Sequence, residues 1–334
     1  MAIPLIIGAV AGVAGIYKAG KAISDNNTAS SVNEKAQRIA KSAETKLETS
    51  RERCQESLQN LGQKKADILD KNVKNFIDVF RTIKNVYFKR SEIEDITVNE
   101  FNDIILAEME KSIDFINSVG LGAGTGSVAG ALTAFGAYNG TMMFAAASTG
   151  TAISSLSGAA ATNATLAWLG GGSLASGGLG MAGGTMALGA LAAGPALLVA
   201  GWYMGSKAEK NLDDARSNIA KARAYSADCD EATTLSNGIA DIADYASNIL
   251  SVLAKWSRRS LKKLVNMIDE KGLDFSKYDD HAREIVMKNI KLTQLIKLVV
   301  DTAILDKEGN LLGDASSNLK QISNDVTLLI ENKN

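Results

Sequence analysis

The chain has few of the side chains on which enzyme active sites commonly depend. Its 334 residues include one histidine, His281, and two cysteines, Cys54 and Cys229, which lie far apart in the sequence. One histidine excludes histidine-rich metal sites, and the lack of a CxxC pair excludes a structural zinc site of the usual spacing. Histidine also supplies most general-base chemistry near neutral pH. These shortages argue against an enzyme, and we expect neither a cofactor nor a metal ion.

Proline and net charge are also scarce. Proline occurs only at Pro4 and Pro195, so little in the sequence interrupts a helix, and we predict long helices. The 36 Lys and Arg residues nearly balance the 37 Asp and Glu residues. Because binding to phosphate backbones needs an excess of positive charge, this balance disfavours a nucleic-acid partner.

Charge is missing altogether from the centre of the chain. No Asp, Glu, Lys, Arg or His occurs between Asp114 and Lys207, although charged residues are frequent on both sides. A membrane-spanning helix needs about 20 apolar residues, so residues 115–206 are long enough for two or three spans. Since a helix without a charged face is buried in protein or in lipid, we interpret this segment as a membrane-inserting region.

Glycine and alanine dominate this uncharged segment. Small residues recur at intervals of four, which places them on one helical face and allows another helix to approach closely. We predict that they pack helices together in a membrane as a glycine zipper; the residues are Gly122, Gly126, Gly130, Ala134, Gly180, Gly184, Gly201 and Gly205. The most hydropathic part is Met181 to Met204.

Two other interpretations of the segment are weaker. The sequence GLGAGTG at residues 120–126 superficially resembles a phosphate-binding loop, but no acidic residue follows for more than 80 residues and no GxxxxGK[ST] motif is present. A disordered Gly/Ser linker is disfavoured because Val, Ile, Leu, Met, Phe and Trp punctuate the segment.

The chain begins with another apolar segment, MAIPLIIGAVAGVAGIY, within residues 1–22. Its lysines, Lys18 and Lys21, follow the apolar run instead of preceding it, which is unlike a secretory signal. We expect the segment to be retained and to lie in a membrane interface, insert partway or pack on the central hairpin, with both lysines at the headgroups. The alternative is a buried terminal helix.

Charged, amphipathic sequence flanks the uncharged segment on both sides. Apolar residues recur every three or four positions from Asn27 to about Arg90, which predicts one long helix or a helix pair packed as in a coiled coil. A second helix begins near Ser91 and continues directly into the glycine zipper. We therefore treat residues 27–114 as one helical region.

The C-terminal flank, residues 207–334, is predicted to be helical as well. Trp202, Tyr203, Lys207 and Lys210 stand where the last apolar span ends, as is typical of a membrane interface. The excess of basic residues after this span favours a cytoplasmic C-terminal side.

Two polar groups in this flank have competing interpretations. A basic cluster surrounds Trp256 and is suited to anionic headgroups, or it is a solvated face paired with acids of a neighbouring helix; it consists of Lys255, Arg258, Arg259, Lys262 and Lys263. Residues 278–281 include a tyrosine, two aspartates and the single histidine. A capped helix start explains them more simply than catalysis.

The sequences SGAAAT at residues 157–162 and WLGGGSLASGG at residues 168–178 resemble the Gly/Ala hairpins of interferon-inducible small hydrophobic membrane proteins. The overall arrangement, with amphipathic helices around a hydrophobic hairpin, is similar to apolipoprotein-L-like proteins and helical pore-forming toxins. The resemblance implies membrane insertion or permeabilisation by the hairpin, and it transfers no catalytic or ligand residue.

We therefore expect an all-α protein in which long amphipathic, coiled-coil-like helices bracket a Gly/Ala-rich hydrophobic hairpin. The expected function is permeabilisation of a membrane by an oligomer, as in a pore-forming toxin or bacterial defence effector. Its partners would be the lipid bilayer and further copies of the chain, and it would be cytoplasmic before insertion. The alternative is a non-enzymatic membrane anchor or scaffold whose flanks recruit a soluble protein partner.

Overall fold

A computed structural model describes residues 27–86, 103–119, 129–138, 212–306 and 311–331. These residues form helices joined by turns, and within them there is no β-strand. The predicted all-α fold class is confirmed. The N-terminal apolar segment and most of the uncharged segment lie outside the described residues.

The N-terminal flank forms a long helix, α1 (Asn27–Ile68), as the spacing of its apolar residues predicts. A π-helical turn, Leu69–Val73, separates α1 from α2 (Lys74–Phe80). The turn places Asn72 in the interior, where its amide nitrogen donates to the Ala254 carbonyl at 2.9 Å and to the Ser257 hydroxyl at 2.7 Å. Because α2 ends at Phe80, the helical stretch is shorter than the sequence predicts.

Two helices of the central region are described, α3 (Asp103–Val119) and α4 (Ala129–Ala137). Helix α3 buries side chains spaced by three and four residues, namely Leu106, Met109, Ile113 and Ile116. This spacing places them on one face, in agreement with the predicted amphipathic helix. Whether α3 continues into the zipper lies outside the described residues, as does the predicted helix start near Ser91.

The C-terminal flank contains α5 (Leu212–Lys271), a short 3₁₀ turn at Phe275–Lys277, α6 (Asp280–Asp301) and α7 (Ala315–Glu331). The start of α6 is capped, because the Asp279 carboxylate accepts a hydrogen bond from the Ala282 amide at 2.9 Å. The interpretation of residues 278–281 as a capped helix start is therefore confirmed.

The chain divides into two compact units. The described residues of the first are 27–56, 212–241 and 311. Within it, α1 and α5 run side by side in the same direction, since Asn218 donates to Asn33 and Lys46 pairs with Asp230. A small apolar core lies between them, formed by Ala43, Leu47, Tyr225 and Cys229.

The described residues of the second unit are 57–86, 103–119, 129–138, 242–306 and 312–331. Here too α1 and α5 are parallel neighbours, because Lys64 donates to the Ser251 hydroxyl at 3.0 Å. Helix α6 joins them through Asn289, whose amide donates to the Ser260 carbonyl at 3.2 Å. Most of the large buried side chains belong to this unit, including Leu58, Leu61, Val73, Leu253, Leu264, Val286, Leu295 and Val299.

Gly272 ends α5 in a conformation that other residues rarely adopt. Its φ is +81°, and its amide donates to the Ile268 carbonyl at 2.8 Å, which is the usual left-handed helix ending. We predict that Gly272→Ala lowers the free energy of unfolding by about 1 kcal/mol because alanine is strained at this φ. Urea denaturation measures the change.

The control is Gly313→Ala, since Gly313 also lies in a turn but has no positive φ and no atom within 4 Å of an added methyl group. This variant should keep or slightly raise stability. Equal losses in both variants would contradict the role of Gly272.

Candidate functional site

Helix α4 belongs to the uncharged segment, and in the structure it is covered by protein. Its residues Leu132, Phe135 and Ala137 are buried, and the following Tyr138 is 4% exposed. No charged residue occurs in this helix. An apolar helix of this kind associates with other surfaces in water unless it is covered. The charged helix α1 provides part of that cover in the second unit.

Two glycines form the contact between α1 and α4. A Cβ atom at Gly62 of α1 would lie 1.8 Å from the Leu132 carbonyl oxygen. Conversely, a Cβ atom at Gly136 of α4 would lie 1.9 Å from the Leu58 carbonyl oxygen. The two helices therefore touch backbone to backbone, and only glycine fits at either position. We refer to Gly62 and Gly136 as the glycine crossing.

Lys65 lies beside the glycine crossing, one turn further along α1, and its side chain is fully buried. Its Nζ atom donates to the carbonyl oxygens of Gly136 at 3.4 Å and Tyr138 at 3.2 Å, and it lies 5.7 Å from the centre of the Phe135 ring. Carbonyls at the end of a helix lack partners within the helix and carry partial negative charge. Lys65 therefore caps the end of α4.

Backbone groups complete this cap. The amides of Ile304 and Leu305 donate to the Ala137 carbonyl oxygen at 2.8 and 3.1 Å. The last carbonyls of α4 thus receive hydrogen bonds from a side chain of α1 and from the segment that follows α6. The end of α4 is held on two sides by elements outside the uncharged segment.

Burial lowers the pKa of Lys65 to about 7, from a usual value of 10.5, and the negative charge of Asp301 opposes this shift. Asp301 also pairs with Lys297, whose Nζ atom lies 3.1 Å from a carboxylate oxygen of Glu108 on α3. The buried amine therefore lies near a row of alternating charges, formed by Asp301 and Lys297 of α6 and Glu108 of α3.

The structure describes few of the residues predicted to act in the membrane. Gly130 and Ala134 lie in α4, but their side-chain surroundings are not described. The remaining predicted residues lie outside the described ranges: Gly122, Gly126, Gly180, Gly184, Gly201, Gly205, Trp202, Tyr203, Lys207, Lys210, Lys18 and Lys21.

Sequence reasoning missed both α1 residues of the site. Gly62 offered a signal, since a glycine inside a long charged helix costs helix stability and often marks a close approach. Lys65 offered no such signal, because two adjacent lysines in a charged helix predict a turn that is exposed to solvent. Only the tertiary contact with α4 distinguishes the buried lysine from its exposed neighbour.

The predicted basic cluster is on the surface of α5 in the second unit. All five of its cations are exposed, and the Arg259 guanidinium lies 5.7 Å from the Trp256 ring. None of the five forms a salt bridge with a carboxylate of the described residues. Pairing with acids of a neighbouring helix is therefore not seen in this part of the chain, which leaves the cluster open to anionic partners.

The residue types used in catalysis or metal binding do not converge in the described part of the chain. His281 is exposed, with its Nδ1 atom 3.9 Å from Glu284. Cys54 and Cys229 are buried free thiols, and burial raises the pKa of Cys54 to about 11. No group of three or more His, Cys, Asp or Glu residues within these ranges is arranged to hold a metal ion.

Comparison with known proteins adds no relative: the chain matches no protein-family model, no curated protein and no solved structure. The resemblance to glycine-zipper membrane proteins stays a prediction. Among the helices described, none is long and apolar enough to cross a membrane.

The glycine crossing predicts that Gly136→Ala detaches α4 from α1. The added methyl group has no space beside the Leu58 carbonyl, and crowding of this kind costs about 1–3 kcal/mol. Hydrogen exchange of the α4 amides should become faster. The control is Gly238→Ala in α5, where the methyl group would meet only Leu311 Cδ2 at 3.9 Å. Unchanged exchange in Gly136→Ala would contradict the contact.

Lys65 predicts an unusual dependence of stability on pH. The folded state loses the Lys65 proton near pH 7, whereas the unfolded chain keeps it until about pH 10.5. The unfolded state therefore binds more protons in this window, so this contribution raises stability as pH rises. Between pH 7 and 9 the gain is about 2 kcal/mol.

Lys65→Met should remove this gain, because methionine does not titrate. Lys64→Met is the matched control, since Lys64 is exposed and its variant should keep the pH dependence of the unchanged protein. Denaturant unfolding at pH 7, 8 and 9 measures all three proteins. A pH dependence that is the same in Lys65→Met would show that Lys65 titrates normally.

Proposed function

We propose that the protein permeabilises membranes by inserting its uncharged segment as an oligomer, in the manner of a toxin or defence effector, and that its charged helices cover this segment beforehand. The observation that carries the proposal is the packing of α4 on α1 through the glycine crossing. It supports a covered form, because α4 comes from the uncharged segment and the helix covering it is a charged flank.

The chemistry of the crossing suits an exchange of partners. A glycine face allows close helix packing in water and in lipid alike. In the covered form Gly136 faces Gly62. On insertion the same small-residue face would become available to another uncharged helix of the same chain or of a second copy. The glycines predicted to pack helices in the membrane supply such faces.

The basic cluster of α5 supports attraction to an anionic membrane. It brings five exposed cations together on a short length of helix, with an aromatic side chain among them. Each cation near an anionic surface contributes about 1 kcal/mol. The cluster would therefore concentrate the protein at the membrane while the uncharged segment is still covered.

A second candidate is a membrane anchor or scaffold that recruits a soluble protein. It is favoured by Tyr245 and Val252, which lie seven residues apart on α5 and are 36% and 42% exposed. This spacing places them on one helical face, as in a coiled-coil seam. Such a protein would bind membranes without opening them.

Dye release and flotation with anionic liposomes test the proposal. Gly62→Ala weakens the cover without altering the uncharged segment, so we expect more flotation and faster dye release than for the unchanged protein. Gly238→Ala, which also adds one methyl group to a helical glycine, should behave like the unchanged protein. Gly126→Leu should still float but release less dye, because it alters the predicted zipper.

The outcomes separate the candidates. Flotation without dye release by the unchanged protein and by Gly62→Ala would favour the anchor. Absence of both flotation and release in Gly62→Ala, with α4 shown to be detached by hydrogen exchange, would reject membrane insertion.

A further inference from the structure

A groove that is largely open to solvent lies in the first unit. Its volume is about 670 Å³, room for about twenty waters, and it is lined by side chains of α1 and α5. Four of these are cations, Arg38, Lys41, Lys46 and Arg53, and no carboxylate is among the lining residues. The groove is therefore a positively charged recess within a chain that is nearly neutral overall.

Two of the cations have carboxylate partners beside the groove. Lys46 pairs with Asp230 at 2.7 Å, and Arg53 pairs with Asp241 at 2.6 Å. Neither Arg38 nor Lys41 has a salt bridge to any carboxylate in the ranges that the structure describes. Both are exposed, so their charge is available to an anion.

The other polar atoms define the chemistry of the ligand. The hydroxyls of Thr45 and Thr49 already donate to carbonyls of their own helix, at 3.0 Å each, so they are left to accept hydrogen bonds. Asn237 uses its oxygen for Arg53 at 3.4 Å, so its amide nitrogen can donate. The groove thus offers cations and donors to an anion, and acceptors to hydroxyl groups.

We propose that this groove binds a phosphate ester of a polyol, with the phosphate at Arg38 and Lys41 and hydroxyl groups at Thr45 and Thr49. Charge-assisted hydrogen bonds from arginine and lysine are the usual means of holding phosphate. The same chemistry is present in a soluble sugar or glycerol phosphate and in a lipid headgroup. The inference does not depend on permeabilisation.

Titration calorimetry with glycerol phosphate and with inositol phosphate tests the soluble source. Flotation on vesicles of phosphatidylglycerol mixed with phosphatidylcholine, compared with phosphatidylcholine alone, tests the lipid source. We expect saturable binding of at least one polyol phosphate, and tighter binding than that of inorganic phosphate, because the latter lacks the hydroxyl groups.

Matched variants locate the site. Thr45→Val removes one of the two hydroxyls placed to accept from the polyol and should weaken binding about threefold or more, whereas Thr234→Val removes an exposed hydroxyl that does not line the groove and should have no effect. The double variant Arg38→Gln/Lys41→Gln should weaken binding at least tenfold. Lys35→Gln/Arg223→Gln removes two exposed charges that do not line the groove and should leave soluble binding unchanged.

The inference is overturned if no polyol phosphate or phosphatidylglycerol vesicle is bound. It is also overturned if the two double variants lose binding equally, since that would indicate non-specific attraction between charges. Binding lost in Arg38→Gln/Lys41→Gln while dye release persists would support the groove and separate it from permeabilisation.

Discussion

The structure depends on one constraint: an uncharged helix has to be covered where it meets water. Helix α4 meets this constraint at the glycine crossing, where two backbones touch because neither helix carries a side chain there. The cover comes from α1, a helix that also packs on α5 and carries charged side chains on its exposed face. Helix α1 therefore buries part of α4 while exposing its own charged side chains to solvent.

The carbonyl groups at the end of α4 also have to be capped. Close contact brings the α4 carbonyls next to the interior of the unit, where they need donors. Lys65 and two backbone amides supply them. In this position the pKa of Lys65 is lowered, because burial disfavours the charged form of the amine. An amine that titrates near neutral pH is thus buried where α4, from the uncharged segment, meets α1 of the charged flank.

The sequence predicted the all-α fold and the positions of the described helices well, because spacings of three and four residues record which face is buried. The cap at Asp279 was also readable, since its residue type and its place before an apolar pattern are typical of helix starts. Three features were not readable. The π-helical turn after Ile68, the burial of Lys65 and the pairing of Gly62 with Gly136 depend on contacts between distant parts of the chain.

The glycine crossing couples the substitutions that two distant positions of the chain can accept. A larger residue at either position would clash with the backbone of the other helix. Once one glycine is replaced and the close contact is lost, the other position no longer requires glycine. In divergent copies of this chain, positions 62 and 136 should therefore be retained together or lost together, although about seventy residues separate them. The contact surfaces of α1 and α4 are therefore expected to change together during divergence.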